Sequence, residues 1–247
     1  MKAARFRRGL AGALAVLVLL AGSAARAGSV LEIAPVLIDV QAPNAAATLS
    51  IKNDDGRPTT IQVRLFRWRQ AGGEESYAPT QDVVASPPIA SVMPGATLTI
   101  RVIRAAQAPV EAEESYRLVL DQLPEADRSG RAKVSMLLRQ VLPVFFSRGD
   151  RSPPEVSWSI ASGPKGYVLQ AHNAGDQRLR IGQVTLSGEG VGRVKLGGGL
   201  LGYVLGHADM SWTIGKVKAF RPGSTLAVQG ESDHGAFHAT ARVTSPR

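Results

Sequence analysis

Residues 133–146 read K-V-S-M-L-L-R-Q-V-L-P-V-F-F, and this stretch decides how the chain must fold. Val134, Met136 and Leu138 recur at every second position, and this period of two predicts a β-strand. Leu137 places an apolar side chain on the opposite face, so both faces of the strand need a cover. One cover is the domain that contains the strand. We expect the other cover to be a second protein.

The rest of the chain reads as short strands separated by turns. Residues 59–68, 97–103 and 115–123 alternate apolar and polar side chains, as half-buried strands do. The apolar run of residues 30–40 contains Pro35, which predicts an edge strand, a kink or a strand that changes partner. Few segments have a helical pattern. Many short strands at regular spacing predict an all-β protein built from β-sandwiches.

The polar segment of residues 147–154 (S-R-G-D-R-S-P-P) breaks the composition and marks a domain boundary. We place an N-terminal domain at residues 28–148 and a C-terminal β-sandwich domain at residues 152–247. The second half also contains strand-like runs but is richer in glycine.

The first 27 residues predict a signal peptide that is cleaved before Gly28. A basic segment precedes the apolar run of residues 10–21, and Ala25-Arg26-Ala27 supplies small residues at a cleavage site. An N-terminal membrane anchor is the alternative, but the run is short for a membrane span. We therefore expect an exported protein with no membrane insertion after the signal is cleaved.

Charge and composition narrow the function classes. The whole chain has a formal charge of +9, but the leader holds five basic residues and no acidic one, which leaves +4. This small excess removes the main support for nucleic-acid binding, so no nucleic-acid partner is expected. Cysteine is absent, which excludes disulfides and cysteine-ligated metals.

Motifs that carry chemistry are weak. Residues 197–202 match G-x-G-x-x-G, but no helix pattern follows, so we interpret them as a flexible loop. His234 and His238 are four apart, and a strand separates such residues by about 13 Å, too far for one metal ion. The chain contains no G-x-S-x-G. We expect no metal, no cofactor and no enzymatic activity.

Longer runs carry a resemblance to a known family. They are residues 86–89 (S-P-P-I), 93–95 (M-P-G), 98–102 (L-T-I-R-V), 113–124 (E-E-S-Y-R-L-V-L-D-Q-L-P) and 133–146. Together they resemble the periplasmic pilus-assembly chaperones of the PapD type, whose sixth and seventh strands match the last two runs. Resemblance to the archaic branch, associated with spore-coat-U-type fimbriae, rests on residues 67–70 (R-W-R-Q), 79–82 (P-T-Q-D) and 203–205 (Y-V-L).

The resemblance implies two immunoglobulin-like β-sandwich domains in a boomerang arrangement, located in the periplasm. It implies that the seventh strand completes a pilin subunit that lacks its own last strand, without ATP. By this correspondence the subunit-binding residues are Val134, Met136, Leu138 and Gln140. The resemblance also implies that the subunit is passed to an outer-membrane usher.

One departure from the family concerns the anchor for the pilin's C-terminal carboxylate. The best-known members use an Arg on the first strand and a Lys on the seventh, and the matching positions here are Pro35 and Pro143. Arg117 is the first substitute, because a guanidinium binds a carboxylate with two hydrogen bonds. Arg139 is the second. A surface or structural role stays open for each.

Other assignments remain open at this stage. For Arg101 we expect a buried structural ion pair with Glu113. A structural fimbrial subunit or adhesin is the rival function, and an exported hydrolase is a third. The sequence does not identify the subunit, and it leaves open whether free molecules dimerise through the apolar strand.

Overall fold

The computed structural model describes residues 31–124, 136–163, 165–217 and 220–244. These residues form seventeen β-strands, and none of them belongs to a helix that is long and apolar enough to cross a membrane. The all-β prediction is confirmed. The strands are β1 (Leu31–Ala34), β2 (Ile38–Gln41), β3 (Ala46–Asn53), β4 (Thr59–Ala71), β5 (Glu74–Pro79), β6 (Val83–Ser86), β7 (Ile89–Val92), β8 (Thr97–Arg104), β9 (Glu114–Gln122), β10 (Arg139–Ser147), β11 (Val156–Gly163), β12 (Gly166–Asn173), β13 (Leu179–Gly188), β14 (Val191–Val204), β15 (Asp209–Gly215), β16 (Thr225–Ser232) and β17 (Gly235–Val243).

Strands β1 to β10 form a sandwich of two sheets. Sheet 1 has the order β1-β3-β8-β6, and sheet 2 has the order β2-β10-β9-β4-β5, with β7 also paired to β4. Alternate side chains of both sheets meet in one core, as the period-two pattern requires. Its members include Leu49, Ile61, Ile100, Tyr116, Leu118, Val144 and Phe146.

Pro35 divides the first apolar run between the two sheets. β1 pairs antiparallel with β3 in sheet 1, whereas β2 pairs in parallel with the end of β10 in sheet 2. Two of the three interpretations of this run therefore hold: the strand changes partner, and each of its parts, β1 and β2, is an edge strand of its sheet. Proline cannot donate to a ladder, so the break falls where the chain leaves one sheet. Pro87 marks a similar change, since β6 pairs with β8 and β7 with β4.

Strands β11 to β17 form one continuous sheet 3, with the order β14-β13-β16-β17-β11-β12-β15. Its two end strands contact each other, so the sheet closes around a single core. The flexible-loop interpretation of residues 197–202 is wrong, because they lie within β14. The register between β13 and β14 shifts there, and a Cβ on Gly182 would lie 3.0 Å from the Gly199 carbonyl oxygen. Glycine permits this close backbone approach.

Two further strand assignments differ from the sequence predictions. β10 begins at Arg139, and residues 136–138, predicted as part of this strand, have no regular secondary structure. β5 was not predicted, because nearly all of its side chains are exposed and it lacks an apolar period. The part of the predicted strand that includes Val134 lies outside the described residues.

A small aromatic cluster joins the sandwich to sheet 3. Trp68 and Phe145 point away from the first core and are buried against Tyr203, whose ring centroid lies 5.5 Å from Trp68 and 5.7 Å from Phe145. Next to them, the buried amide of Gln70 donates to the Tyr203 carbonyl and accepts from the Leu205 N–H, both at 2.9 Å. The side chain of Gln70 therefore replaces a strand partner across the interface.

Candidate binding edge and interdomain cleft

One edge of β10 is open over its first half. β9 covers one side of the strand, but β2 covers the other side only at residues 144–147. In the described ranges no strand pairs with the second side of residues 139–143. The Leu138 carbonyl accepts from the Gln122 N–H at 2.9 Å. The antiparallel alternation then directs the main-chain groups of Arg139 and Val141 outward.

Pro143 closes this open edge. By the same alternation it occupies an outward position, where a residue without an N–H loses no hydrogen bond to β9. β2 takes up the pairing at the next residue, Val144. The edge therefore offers a short run of unpaired main-chain groups, which another extended chain can use.

The predicted subunit-binding residues lie in different surroundings. Met136 is 92% exposed. Leu138 and Gln140 are half-buried and line a gap between the two sheets, the sandwich mouth, with Ile33, Ile61 and Leu120. Leu138 is thus partly covered by its own domain, and only Met136 of the described set is wholly available to a partner.

Arg139 already has a carboxylate partner. Its Nε donates to Asp121 at 2.5 Å, and Arg64 approaches the other oxygen of Asp121 at the same distance. Hydrogen bonding from Arg139, followed by that from Arg64, lowers the pKa of Asp121 below its usual value. Arg139 lies six residues before Phe145, which is about 20 Å along a strand. It is therefore far from the interdomain cluster.

Arg117 lies on the face of sheet 2 that meets sheet 3. It is directly opposite Pro143 in the β9–β10 register, on the same face of the sheet. Its guanidinium lies 3.6 Å from the ring centroid of Trp68, and its side chain is 15% exposed. The Nε of Arg117 is buried and has no hydrogen-bond partner among the described residues. Arg117 therefore places a cation, with an Nε that is unused among the described residues, at the junction of sheet 2 and sheet 3 around Trp68 and Tyr203, which we call the interdomain cleft.

Comparison with known proteins gives the family of the first sandwich. Residues 30–148 match the family described as pili and flagellar-assembly chaperone, PapD N-terminal domain. Residues 30–148 are a PapD-type chaperone domain.

Further relatives agree with this assignment. The uncharacterized fimbrial chaperone YhcA of Escherichia coli strain K12 is 25% identical over 155 residues, which are 58% of this chain and 65% of YhcA. The alignment therefore spans slightly less than two thirds of that relative. The resemblance to PapD-type chaperones that the sequence motifs carry is confirmed.

Two solved structures share the fold over most of the chain. A chain of the CsuC–CsuE complex, from the archaic chaperone-usher Csu pili of Acinetobacter baumannii, has a TM-score of 0.69 and 22% identity, covering 87% of this chain and all of that one. A chain of the complex between the SafA pilin and the SafB chaperone of Salmonella enterica has a TM-score of 0.60 and 15% identity, covering 87% and 98%. The fold of two immunoglobulin-like domains is thus confirmed.

A second arginine, Arg178, forms ion pairs between the segment before β13 and the PapD-type domain. Arg178 donates to Glu113 and to Asp39, both at 2.5 Å, and its guanidinium lies 3.7 Å from the ring centroid of Phe145. The side chain of Glu113 is 3% exposed, and this burial raises the pKa of Glu113, although Arg178 opposes the rise. The expected pair of Glu113 with Arg101 is wrong, because Arg101 is exposed on β8 and Arg178 holds the carboxylate.

Sequence reasoning missed several residues of this cleft. Arg178, Glu75 and Tyr77 carried no motif. The charged partners of Arg178 and of Glu75 lie in distant parts of the chain. The only local sign of these residues in the sequence is a charge within a polar turn. Most charges of that kind are solvated, so this sign does not identify a site. Only the register of β4, β5 and β9 brings Glu75 and Tyr77 beside Arg117.

Proposed function

We propose that this protein is a periplasmic chaperone that binds, folds and caps pilus subunits by donor-strand complementation and delivers them to an outer-membrane usher. The observation that carries the proposal is the open edge of β10 in a PapD-type domain. Strand addition at an exposed sheet edge uses main-chain hydrogen bonds for affinity and alternate side chains for specificity.

The partner class is transferred from related proteins. The CsuC chaperone is in complex with a tip adhesion subunit, and the SafB chaperone is in complex with a pilin. A PapD-type domain is not an enzyme domain, so binding is the activity that we propose. A structural fimbrial subunit or adhesin is not favoured, because the family match is to chaperones.

The open edge of β10 contributes to the binding free energy through one apolar side chain and a few main-chain hydrogen bonds. Burial of Met136 stabilises a complex by about 1.5–3 kcal/mol. The outward N–H and C=O groups of Arg139 and Val141 add up to four main-chain hydrogen bonds of roughly 0.5–1.5 kcal/mol each. Their gross sum of about 3.5–9 kcal/mol falls in the lower half of the about 4–15 kcal/mol that association costs. A stable complex therefore needs a further contact, for which a charged anchor is suited.

We propose Arg117 as that anchor for the subunit's C-terminal carboxylate. It lies opposite Pro143, the position that matches the lysine of the best-known chaperones, and its Nε has no hydrogen-bond partner in the described ranges. The guanidinium of Arg117 lies 3.6 Å from the ring centroid of Trp68, and a guanidinium can form two hydrogen bonds to one carboxylate. Arg139 stays a weaker prediction, because it already binds Asp121 and lies far from the cleft.

Met136→Asp tests the proposal. A carboxylate forced into the apolar groove of a subunit carries a desolvation penalty of several kcal/mol, so subunit accumulation in the periplasm should fall at least tenfold. Tagged protein purified from periplasmic extract, with its companions quantified by mass spectrometry, gives the measurement. Met93→Asp is the matched control, since Met93 is also exposed, at 58%, and lies outside the open edge. Subunit levels that match wild type in Met136→Asp cells would contradict the proposal.

Leu138 is a less specific position for this test. Its side chain lines the sandwich mouth, so a charge there would destabilise the chaperone itself as well as the complex. Met136→Asp should leave the urea midpoint of the purified chaperone unchanged. A comparison of the two unfolding curves separates loss of binding from loss of folding.

A further inference from the structure

Glu75 supplies the carboxylate that faces Arg117 in this structure. Its Oε1 lies 3.9 Å from Nη2 of Arg117, with 24% of the Glu75 side chain exposed. Glu75 is on β5, opposite Gln70 of β4, and the Gln70 amide donates to Oε1 at 3.3 Å. The Tyr77 hydroxyl donates to the other oxygen. Two neutral donors thus hold the carboxylate beside the cation.

The contact between Glu75 and Arg117 is electrostatic and lacks a direct hydrogen bond. A separation of 3.9 Å exceeds the usual donor–acceptor distance of about 2.7–3.2 Å. Arg104 and Glu114 form a bidentate ion pair in the same domain, with two hydrogen bonds of 2.9 and 2.8 Å. Within the described part of the chain, Arg117 therefore has a counter-ion nearby but no carboxylate bound through two hydrogen bonds.

The surroundings of Glu75 favour this loose arrangement. Burial and the hydrogen bond to Glu75 raise the pKa of Tyr77 to about 12, so the hydroxyl stays a donor at neutral pH. Trp68 holds the guanidinium from one face, at 3.6 Å. Tyr77 and Gln70 therefore satisfy the Glu75 carboxylate without a hydrogen bond from Arg117.

We infer that Glu75 is an internal counter-ion that occupies the place of the subunit's terminal carboxylate, which displaces it from Arg117 when the subunit binds. This inference rests on the proposed function and on Arg117 as the anchor. Glu75 is a positioning residue in this account: it keeps Arg117 against Trp68 in the free chaperone, and it makes the anchor selective for carboxylates that form two hydrogen bonds.

A labelled peptide, prepared with either of two C-terminal groups, tests the inference. The probe is a fluorescein-labelled peptide of sequence Val-Thr-Val-Thr-Phe, prepared as the free acid and as the amide, and its binding to the whole protein is followed by fluorescence anisotropy. Wild type should bind the acid more tightly, and Arg117→Met should remove that preference. Glu75→Gln should tighten binding of the acid about three- to tenfold and leave the amide unchanged; tenfold equals about 1.4 kcal/mol.

Glu74→Gln is the matched control, because it removes the same charge from the neighbouring residue of β5, whose side chain points to the other face. It should change neither affinity. A clear preference for the acid that Glu75→Gln leaves unchanged or weakens overturns the inference and retains Arg117 as the anchor. Absence of any acid preference in wild type overturns both the anchor and the inference.

Discussion

Replacing Arg178 with Met should destabilise the protein by about 3–5 kcal/mol, because it leaves a buried carboxylate without its partner. Arg178 extends from the segment before β13 to Glu113 and Asp39 of the PapD-type domain. Methionine keeps much of the packing against Phe145 but has no charge and no N–H donors. The substitution therefore isolates the ionic part of the interface.

The two acidic partners contribute unequally. The side chain of Asp39 is 45% exposed, and exposed pairs of this kind contribute about 0–1 kcal/mol. The side chain of Glu113 is 3% exposed and accepts both the Arg178 N–H and a guanidinium hydrogen. Removal of one partner of a buried pair is the costly event, so nearly all of the loss comes from Glu113.

The loss should depend on pH in a defined direction. Burial already places the pKa of Glu113 above its ordinary value of 4.5, and Arg178 lowers it. Without Arg178 the pKa rises further, so the folded mutant holds the proton more tightly than the unfolded chain does. Stability then falls as the pH rises above about 4.5 through the folded pKa. The deficit relative to wild type should be small near pH 4.5 and largest near pH 8.

Urea unfolding at several pH values, followed by circular dichroism, measures this deficit. A second substitution, Glu113→Gln in the Arg178→Met protein, removes the orphaned charge and should restore most of the stability at pH 8. A loss below about 1 kcal/mol at neutral pH would refute the reasoning. So would a deficit that is equal at pH 5 and pH 8.

Two further predictions concern the same domain. Gln70→Leu should destabilise the protein by about 2–4 kcal/mol, because it leaves the Tyr203 carbonyl and the Leu205 N–H without a hydrogen-bond partner. Urea unfolding measures this loss. Unchanged protection of the Leu205 amide in hydrogen exchange would argue against it. Asp121→Asn should lose about 0.5–1.5 kcal/mol at pH 7, discounted because Arg64 and Arg139 are 44% and 65% exposed. The pKa of Asp121 lies below 3.8, so its contribution is present above that pH and disappears as the pH falls through the folded value. A mutant deficit that persists at pH 2 would contradict that origin.

The sequence alone predicted the all-β fold and the apolar strand near residue 140. Period-two alternation is a local property, because the apolar positions within one strand indicate which of its faces is buried. Residues 59–68, 97–103 and 115–123 became β4, β8 and β9 with small changes at their ends. β5 escaped notice because an exposed strand has no apolar face to display.

Only the tertiary structure decided the arrangement of the charged groups. Glu113 meets Arg178 across 65 residues of sequence, and Glu75 approaches Arg117 because β5 and β9 flank β4. Such contacts depend on strand order and register, which alternation within one strand does not encode. For the same reason Arg101 and Arg117 look alike in the sequence, although one is exposed on sheet 1 and the other stacks on Trp68 beside the cleft.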